Sequence, residues 1–374
     1  MVEHGIINWQ EAGATHSARW YSERNLVPPK RVVLIDDTTK ADAAYRMACE
    51  GTAMLWRGDF QNARQLLQAM ARRIDRKPHK QIADPREAFN LHRLAQSQRS
   101  RTLGMLLLSF GPGYRLDLKR APDVSQACKE AFGPRGEPLV MSLRELLGAI
   151  GAHEWRKKGV DIPVLEAKIH PHYGVFSPVR GEYLDLVAQA PLPSQALAFD
   201  IGTGTGVLAA ILANRGVKHV IATEIDARAL ACVRENIARL HLANQVKVIE
   251  ADLFPPGKAP LIVCNPPWLP ARPSSSLEQA IYDEDSRMLL GFLGGLAGHL
   301  EPGGEGWLIL SDLAEHLGLR TRETLLEALD RAGLHVIERL DTRPLHPKAT
   351  DAADPLHAAR KLEITSLWRL GVKV

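Results

Sequence analysis

The chain has 374 residues, 45% of them hydrophobic and 24% charged, with 29 glycines and 24 prolines. Such a composition excludes a disordered, collagen-like or disulfide-framed chain, and the length suits two domains. A formal net charge of +4 is too small to name a partner by itself.

The first ~165 residues read as a mostly helical domain. RVVLIDD is a short strand; ADAAYRMACEGTAMLWRGD and FQNARQLLQAMARRID follow as two helices, the second with Ala63, Leu66, Leu67, Met70 and Ile74 on one face. TLGMLLLSFGPGYRLDLKR suggests a hairpin turning across Gly-Pro-Gly, and MSLRELLGAIGAHEWRKKG is another amphipathic helix. A boundary is expected near 165, giving an α-rich recognition domain over 1–165 and a second domain over 166–374.

From about residue 196 strands and helices alternate. QALAFDIG, KHVIATEID, QVKVIEADL, APLIVCNPPW and GEGWLILSD read as strands separated by helices, and LHVIERLD and KLEITSLWRL as two more with no helix between them. This pattern predicts a doubly wound, Rossmann-like α/β sheet of seven strands, parallel except for an antiparallel pair at one edge. Cys49, Cys128, Cys232 and Cys264 lie far apart without a CxxC pair, which fits a reducing compartment. The opening residues lack the basic-then-apolar pattern of a secretion signal, and no apolar run approaches the ~20 residues of a membrane span. A soluble, cytoplasmic protein is expected, with no membrane partner. Oligomeric state is not legible.

The chemistry concentrates at the carboxyl ends of the strands, where open α/β sheets bind ligands. AFDIGTGTGV (198–207) follows the first of these strands. A dinucleotide fingerprint would need glycine at 207, which is Val207, and a phosphate loop would need a Gly-Lys-Ser/Thr ending that is not there. What stands instead is Asp200, Gly202, Gly204 and Gly206 at alternate positions, with Thr203 between the first two glycines. Glu224 ends the next strand, 18 residues after Gly206, where a carboxylate can hold ribose hydroxyls. Asp252, followed by Leu253, ends the third.

Together these motifs closely resemble the class I S-adenosylmethionine-dependent methyltransferases, over roughly residues 170–374. The resemblance implies S-adenosylmethionine as cofactor, cradled by Asp200, Gly202, Thr203, Gly204 and Gly206, with Glu224 on the ribose and Asp252 and Leu253 at the adenine. Cys264-Asn265-Pro266-Pro267-Trp268 then resembles the (Asn/Asp)-Pro-Pro-aromatic motif of enzymes that methylate a planar nitrogen. These enzymes, of the "methyltransferase small domain" type, modify rRNA bases or release-factor glutamines.

The physical logic concerns a delocalised lone pair. An amino group conjugated to a π system is a poor nucleophile; accepting its hydrogens on the Asn265 side-chain oxygen and the Pro266 carbonyl localises the pair. Prolines at 266 and 267 fix the turn, and Trp268 offers a face on which the target can stack. The family's aromatic is usually Tyr or Phe. HPHYGVFSPVRGEYLDLV (170–187) resembles a segment laid over the cofactor, in which Phe176 and Arg180 are candidate lining residues and ordinary packing is the alternative. His170, His172, His346 and His357 are too scattered for a metal site, so none is expected. Asp283, Glu284 and Asp285 read as a solvated helix start.

Residues 64–101 contain ten cations (Arg64, Arg72, Arg73, Arg76, Lys77, Lys80, Arg86, Arg93, Arg99, Arg101) against Asp75, Asp84 and Glu87. A basic helical face can grip RNA phosphates, though it can also be a plain solvated surface. The expected activity is N-methylation of an exocyclic base amine of rRNA or tRNA. The alternatives are methylation of a protein glutamine at N5 and a cofactor- or RNA-binding module without catalysis.

Overall fold

The computed structural model describes residues 5–76, 82–178, 181–274, 276–344 and 351–373. The chain divides into two compact units, Met1–Gln81 with Asn90–Glu154, and Ile82–Phe89 with Trp155–Val374.

The first unit holds β1 (Ile6–Glu11), β2 (Ala14–Trp20), β3 (Arg31–Ile35), α1 (Ala41–Cys49), β4 (Thr52–Trp56) and α2 (Phe60–Asp75). Most of α3 (Pro85–Leu103) follows, then β5 (Leu106–Phe110), α4 (Ser125–Phe132), β6 (Leu139–Ser142) and most of α5 (Leu143–Lys158). Its strands form one mixed sheet in the order β1-β2-β6-β5-β4-β3. The expectation of a mostly helical N-terminal region is therefore corrected. Thr52–Trp56, read above as the tail of a helix, is a strand buried along its whole length; Gly51 at φ 77 breaks the chain between helix and strand. The hairpin expected across Gly-Pro-Gly is a 3₁₀ turn at Pro112–Tyr114 closed by a single bridge from Gly111 to Arg115.

The second unit begins with a small hairpin of β7 (Val160–Ile162) and β8 (Ala167–Ile169), then α6 (Glu182–Gln189), β9 (Leu197–Ile201), α7 (Val207–Asn214), β10 (His219–Glu224), α8 (Ala227–Arg239) and β11 (Val246–Glu250). It continues through β12 (Ala259–Cys264), α9 (Ser276–Gln279), α10 (Arg287–His299), β13 (Leu300–Ser311), α11 (Leu313–His316), α12 (Arg322–Arg331), β14 (Leu334–Thr342) and β15 (Thr365–Val372). The strands of its large sheet run β11-β10-β9-β12-β13-β15-β14. The neighbours from β11 to β13 are parallel, while β15 is antiparallel to both β13 and β14.

Successive side chains of a strand point to opposite faces, and the core follows that period. Ala198, Leu261, Val263, Trp307 and Ile309 join α6, α7 and α8 on one face. Phe199, Ile262, Cys264, Leu308 and Leu310 join α10 and α12 on the other. From β9 the chain winds outward through β10 and β11, then returns to β12 on the opposite flank of β9. That reversal is a topological switch point, where the loops of two neighbouring strands diverge and leave a crevice.

Candidate functional site

At the switch point Val263 pairs with Asp200 and Cys264 with Ile201, so the loop leaving β12 starts beside the loop leaving β9. On the other flank Thr223 pairs with Ile201, which brings Glu224 alongside. The glycine loop, Glu224 and Asn265 thus meet at one edge of the sheet.

Asp200 is fully buried. Its Oδ2 accepts the Thr203 hydroxyl at 2.5 Å and the Ala209 amide at 3.0 Å, while Oδ1 has no partner among the described residues. Burial pushes this carboxyl up to about 6, against the lowering effect of those two donors; nearby Glu224 adds to the rise. Gly202, Gly204 and Gly206 all sit at positive φ. A Cβ on Gly206 would lie 2.7 Å from Val233 Cγ2, so that glycine lets α7 approach α8. A Cβ on Gly204 would meet nothing within 4 Å, which leaves the backbone open to an approaching ligand.

Glu224 fixes the loop from the side. Oε2 accepts the Gly204 amide at 3.1 Å; Oε1 accepts the amides of Ile225 and Asp226 at 2.8 and 3.1 Å. Ile225, 60% exposed, adds an apolar surface that the sequence reading missed. Asp252 stands at the end of β11 in an exposed 2.9 Å pair with Arg287. Leu253 has φ 70; its carbonyl accepts the Thr223 hydroxyl at 2.6 Å, and its side chain packs where a Cβ on Gly291 would be. Phe176 is half-buried, and Arg180 lies outside the described residues.

Asn265 is held by an aromatic residue of its own loop: the Trp268 indole N–H donates to Asn265 Oδ1 at 2.9 Å. Tyr183 and Trp268 meet edge to face, with ring centroids 6.2 Å apart. Burial pushes the Tyr183 phenol up, so it stays neutral. A carbonyl oxygen has two lone pairs, and the indole takes one, leaving Oδ1 able to accept a further hydrogen. Tyr183 belongs to α6, 82 positions before Asn265 in the chain, and only its aromatic character in GEYLDLV hinted at a role. Burial, with the charges of Asp200 and Asp283, also pushes the Cys264 thiol up, so this cysteine is no thiolate nucleophile.

The carboxylates after this loop differ from the expectation. Asp283 is 8% exposed and accepts the amides of Met288 and Leu289 at 3.0 and 3.1 Å, so it caps α10 from within rather than from solvent. Among the expected loop histidines, His172 pairs with Glu235 at 2.7 Å and the His170 amide donates to the Asn236 side chain; His346 lies outside the described residues. Among the described residues no cluster of His, Cys, Asp or Glu is arranged to hold a metal ion, and no helix is long and apolar enough to cross a membrane.

The whole of this corner falls within a segment that comparison with known proteins singles out. Residues 166–321 match the family model of the methyltransferase small domain. The chain is 32% identical over 178 residues to the release factor glutamine methyltransferase of Cereibacter sphaeroides, covering 44% of this chain and 63% of that protein. It is 25% identical over 172 residues to the tRNA1(Val) (adenine(37)-N6)-methyltransferase of Shewanella putrefaciens, covering 44% of this chain and 69% of that one. The crystal structure of a methyltransferase from Pyrococcus furiosus covers 59% of this chain and 96% of its own at 18% identity, with a TM-score of 0.39. The stretch that matches the family model thus spans β9 to β13 and their loops, while the first of these relatives is matched over less than two thirds of its length.

Proposed function

We propose that the protein is an S-adenosylmethionine-dependent N-methyltransferase whose acceptor is a planar amino nitrogen, foremost an exocyclic base amine of RNA. The observation that carries this reading is the adjacency of Asn265 to the Asp200 glycine loop across paired strands. The residues present fit the cofactor: a buried carboxylate oxygen without a partner among the described residues suits a cationic ligand, and the open backbone at Gly204 gives it room. Asp200, Gly202, Thr203, Gly204 and Gly206 would hold the methionine end, Glu224 the ribose, and Asp252, Leu253 and Phe176 the base. When bound, the cofactor supplies an electrophilic methyl group.

Asn265 Oδ1 and the Pro266 carbonyl accept hydrogens from the acceptor nitrogen and localise its lone pair, while Pro267 keeps the turn fixed. Trp268, with Tyr183 packed edge to face on its ring, keeps the carboxamide facing the right way. Rate then depends on alignment rather than on a strong base.

Three observations favour RNA. The matched relatives include a tRNA adenine N6-methyltransferase. Arg64, Arg72, Arg76 and Arg101 of the basic segment are exposed, although Arg73 is paired with Asp42 and Arg99 with Asp75 inside the same unit; Lys77 and Lys80 lie outside the described residues. The release-factor enzymes of the resemblance carry a helical N-terminal domain, whereas this chain has a six-stranded sheet there, which we read as an RNA-recognition domain. The second reading, glutamine N5-methylation, draws on the 32% identity to a release factor glutamine methyltransferase. The test is to incubate the protein with methyl-labelled cofactor and lysate from a strain lacking it. Label removed by ribonuclease and resistant to protease supports RNA; label removed by protease alone supports glutamine, and no label overturns both.

A further inference from the structure

A cavity of about 380 Å³ opens beyond the Asn-Pro-Pro-Trp loop, with Pro270, two residues past Trp268, on its wall. Leu289, Leu290, Leu325 and Ala328 give it apolar sides, and Arg86 and Arg320 also line it. The volume lies within the range of small-molecule sites.

Arg320 is the unusual feature. It is nine-tenths buried, and its Nε and Nη2 have no hydrogen-bond partner among the described residues. A guanidinium carries five donors and loses its charge to no protein environment, so burying it without partners is costly unless something else fills them. The nearby carboxylates do not. Asp283 and Glu315 attract Arg320 through space, yet Asp283 accepts the amides of Met288 and Leu289, and Glu315 is gripped by Arg322 at 2.8 and 3.0 Å. Asp285 is the acidic residue on the cavity wall. Arg86 is anchored through Nε and Nη2 on the Gly318 carbonyl, which fixes a second guanidinium at the rim.

We infer that this cavity receives a nucleotide of the acceptor, its phosphate on Arg320 and Arg86 and its sugar and base against the Pro270 and leucine walls. The inference rests on the RNA reading and specifies it. One buried and one anchored guanidinium group match the several oxygens and full charge of a phosphate, and an uncharged glutamine side chain would leave both unfilled. Apolar flanks beside the cations suit a flat heterocycle.

The probe is cytidine 5′-monophosphate, titrated calorimetrically into the full chain saturated with S-adenosylhomocysteine so that an adenosyl pocket is closed to it. Cytidine without phosphate should bind at least tenfold more weakly, and Arg320→Met should weaken the nucleotide at least tenfold. That variant should melt no lower than wild type, because it removes an unpaired buried cation, and should keep its S-adenosylmethionine affinity within about twofold. Arg86→Gln, at an exposed position, provides a second test that does not depend on the core, with an expected loss of about threefold or more. Absence of nucleotide binding, equal affinity for cytidine, equal affinity for inorganic phosphate alone, or a preference for N-acetylglutamate would each overturn the inference, as would full nucleotide affinity in Arg320→Met. Failure of wild type to bind S-adenosylmethionine would remove the methyltransferase reading instead, whatever cytidine monophosphate does.

Discussion

Asp200 shows what one buried atom can demand. Its carboxyl is raised to about 6 from 3.8, so the neutral form is favoured in the fold. The associated stability is fully present below pH 3.8 and is lost as pH rises through about 6. By the usual conversion the ionised group costs roughly 3 kcal/mol at neutral pH. A cationic ligand on the vacant Oδ1 favours the ionised form, so its affinity should improve as pH rises through about 6. Calorimetry of S-adenosylmethionine binding near pH 6, in two buffers of different ionisation heat, should show net proton release, and Asp200→Asn should abolish that release and weaken binding. Buffer-independent heats in wild type would contradict this account of the carboxylate. The donor to Asn265 gives a second prediction. Trp268→Phe keeps an aromatic ring but removes the N–H on Oδ1, and should lower methyl transfer about tenfold, the worth of one hydrogen bond, with cofactor affinity unchanged. Unchanged transfer would mean the indole does not orient the carboxamide. Asp200, the glycines and Asn265 are legible in the sequence because residue types of distinct chemistry cluster at strand ends. Tyr183, Ile225 and Arg320 are not, because each looks like an ordinary packing or surface residue until the fold brings it to the site.

At the scale of elements, α7 and α8 hold the loop. Gly206 combines φ 85 with a close approach to Val233, so Gly206→Ala introduces both backbone strain and a clash. It should destabilise the protein by about 2–4 kcal/mol in denaturant titration, and a loss below about 0.5 kcal/mol would show that α8 is free to move away. The N-terminus of α8 is capped: Asp226 accepts the amides of Arg228 and Ala229, each at 2.9 Å. The parallel strands and intervening helices of the second unit were readable because apolar runs alternate with helical periodicity and end in glycine or proline. The N-terminal sheet was not. β2 is exposed at most positions and carries no two-residue alternation, and β4 is so uniformly apolar that length alone separates it from a helix.

For the whole molecule, strand order matters more than composition. The reversal at β9 brings together motifs that lie 61 residues apart from Gly204 to Asn265, while the net charge of +4 says little about the acceptor. The division into units also departs from a simple cut near 165: Ile82–Phe89 joins the second unit, with Phe89 buried beside Leu269, Leu313 and Leu317. No local pattern marks that return, since it depends on packing between distant segments. The account as a whole stands on Asn265 as the group that readies the acceptor nitrogen. The direct measurement compares methyl transfer from labelled S-adenosylmethionine by wild type and Asn265→Ala, with cofactor affinity determined alongside. The account predicts affinity within about twofold and transfer reduced by at least about a hundredfold; a variant that methylates as fast as wild type would contradict it.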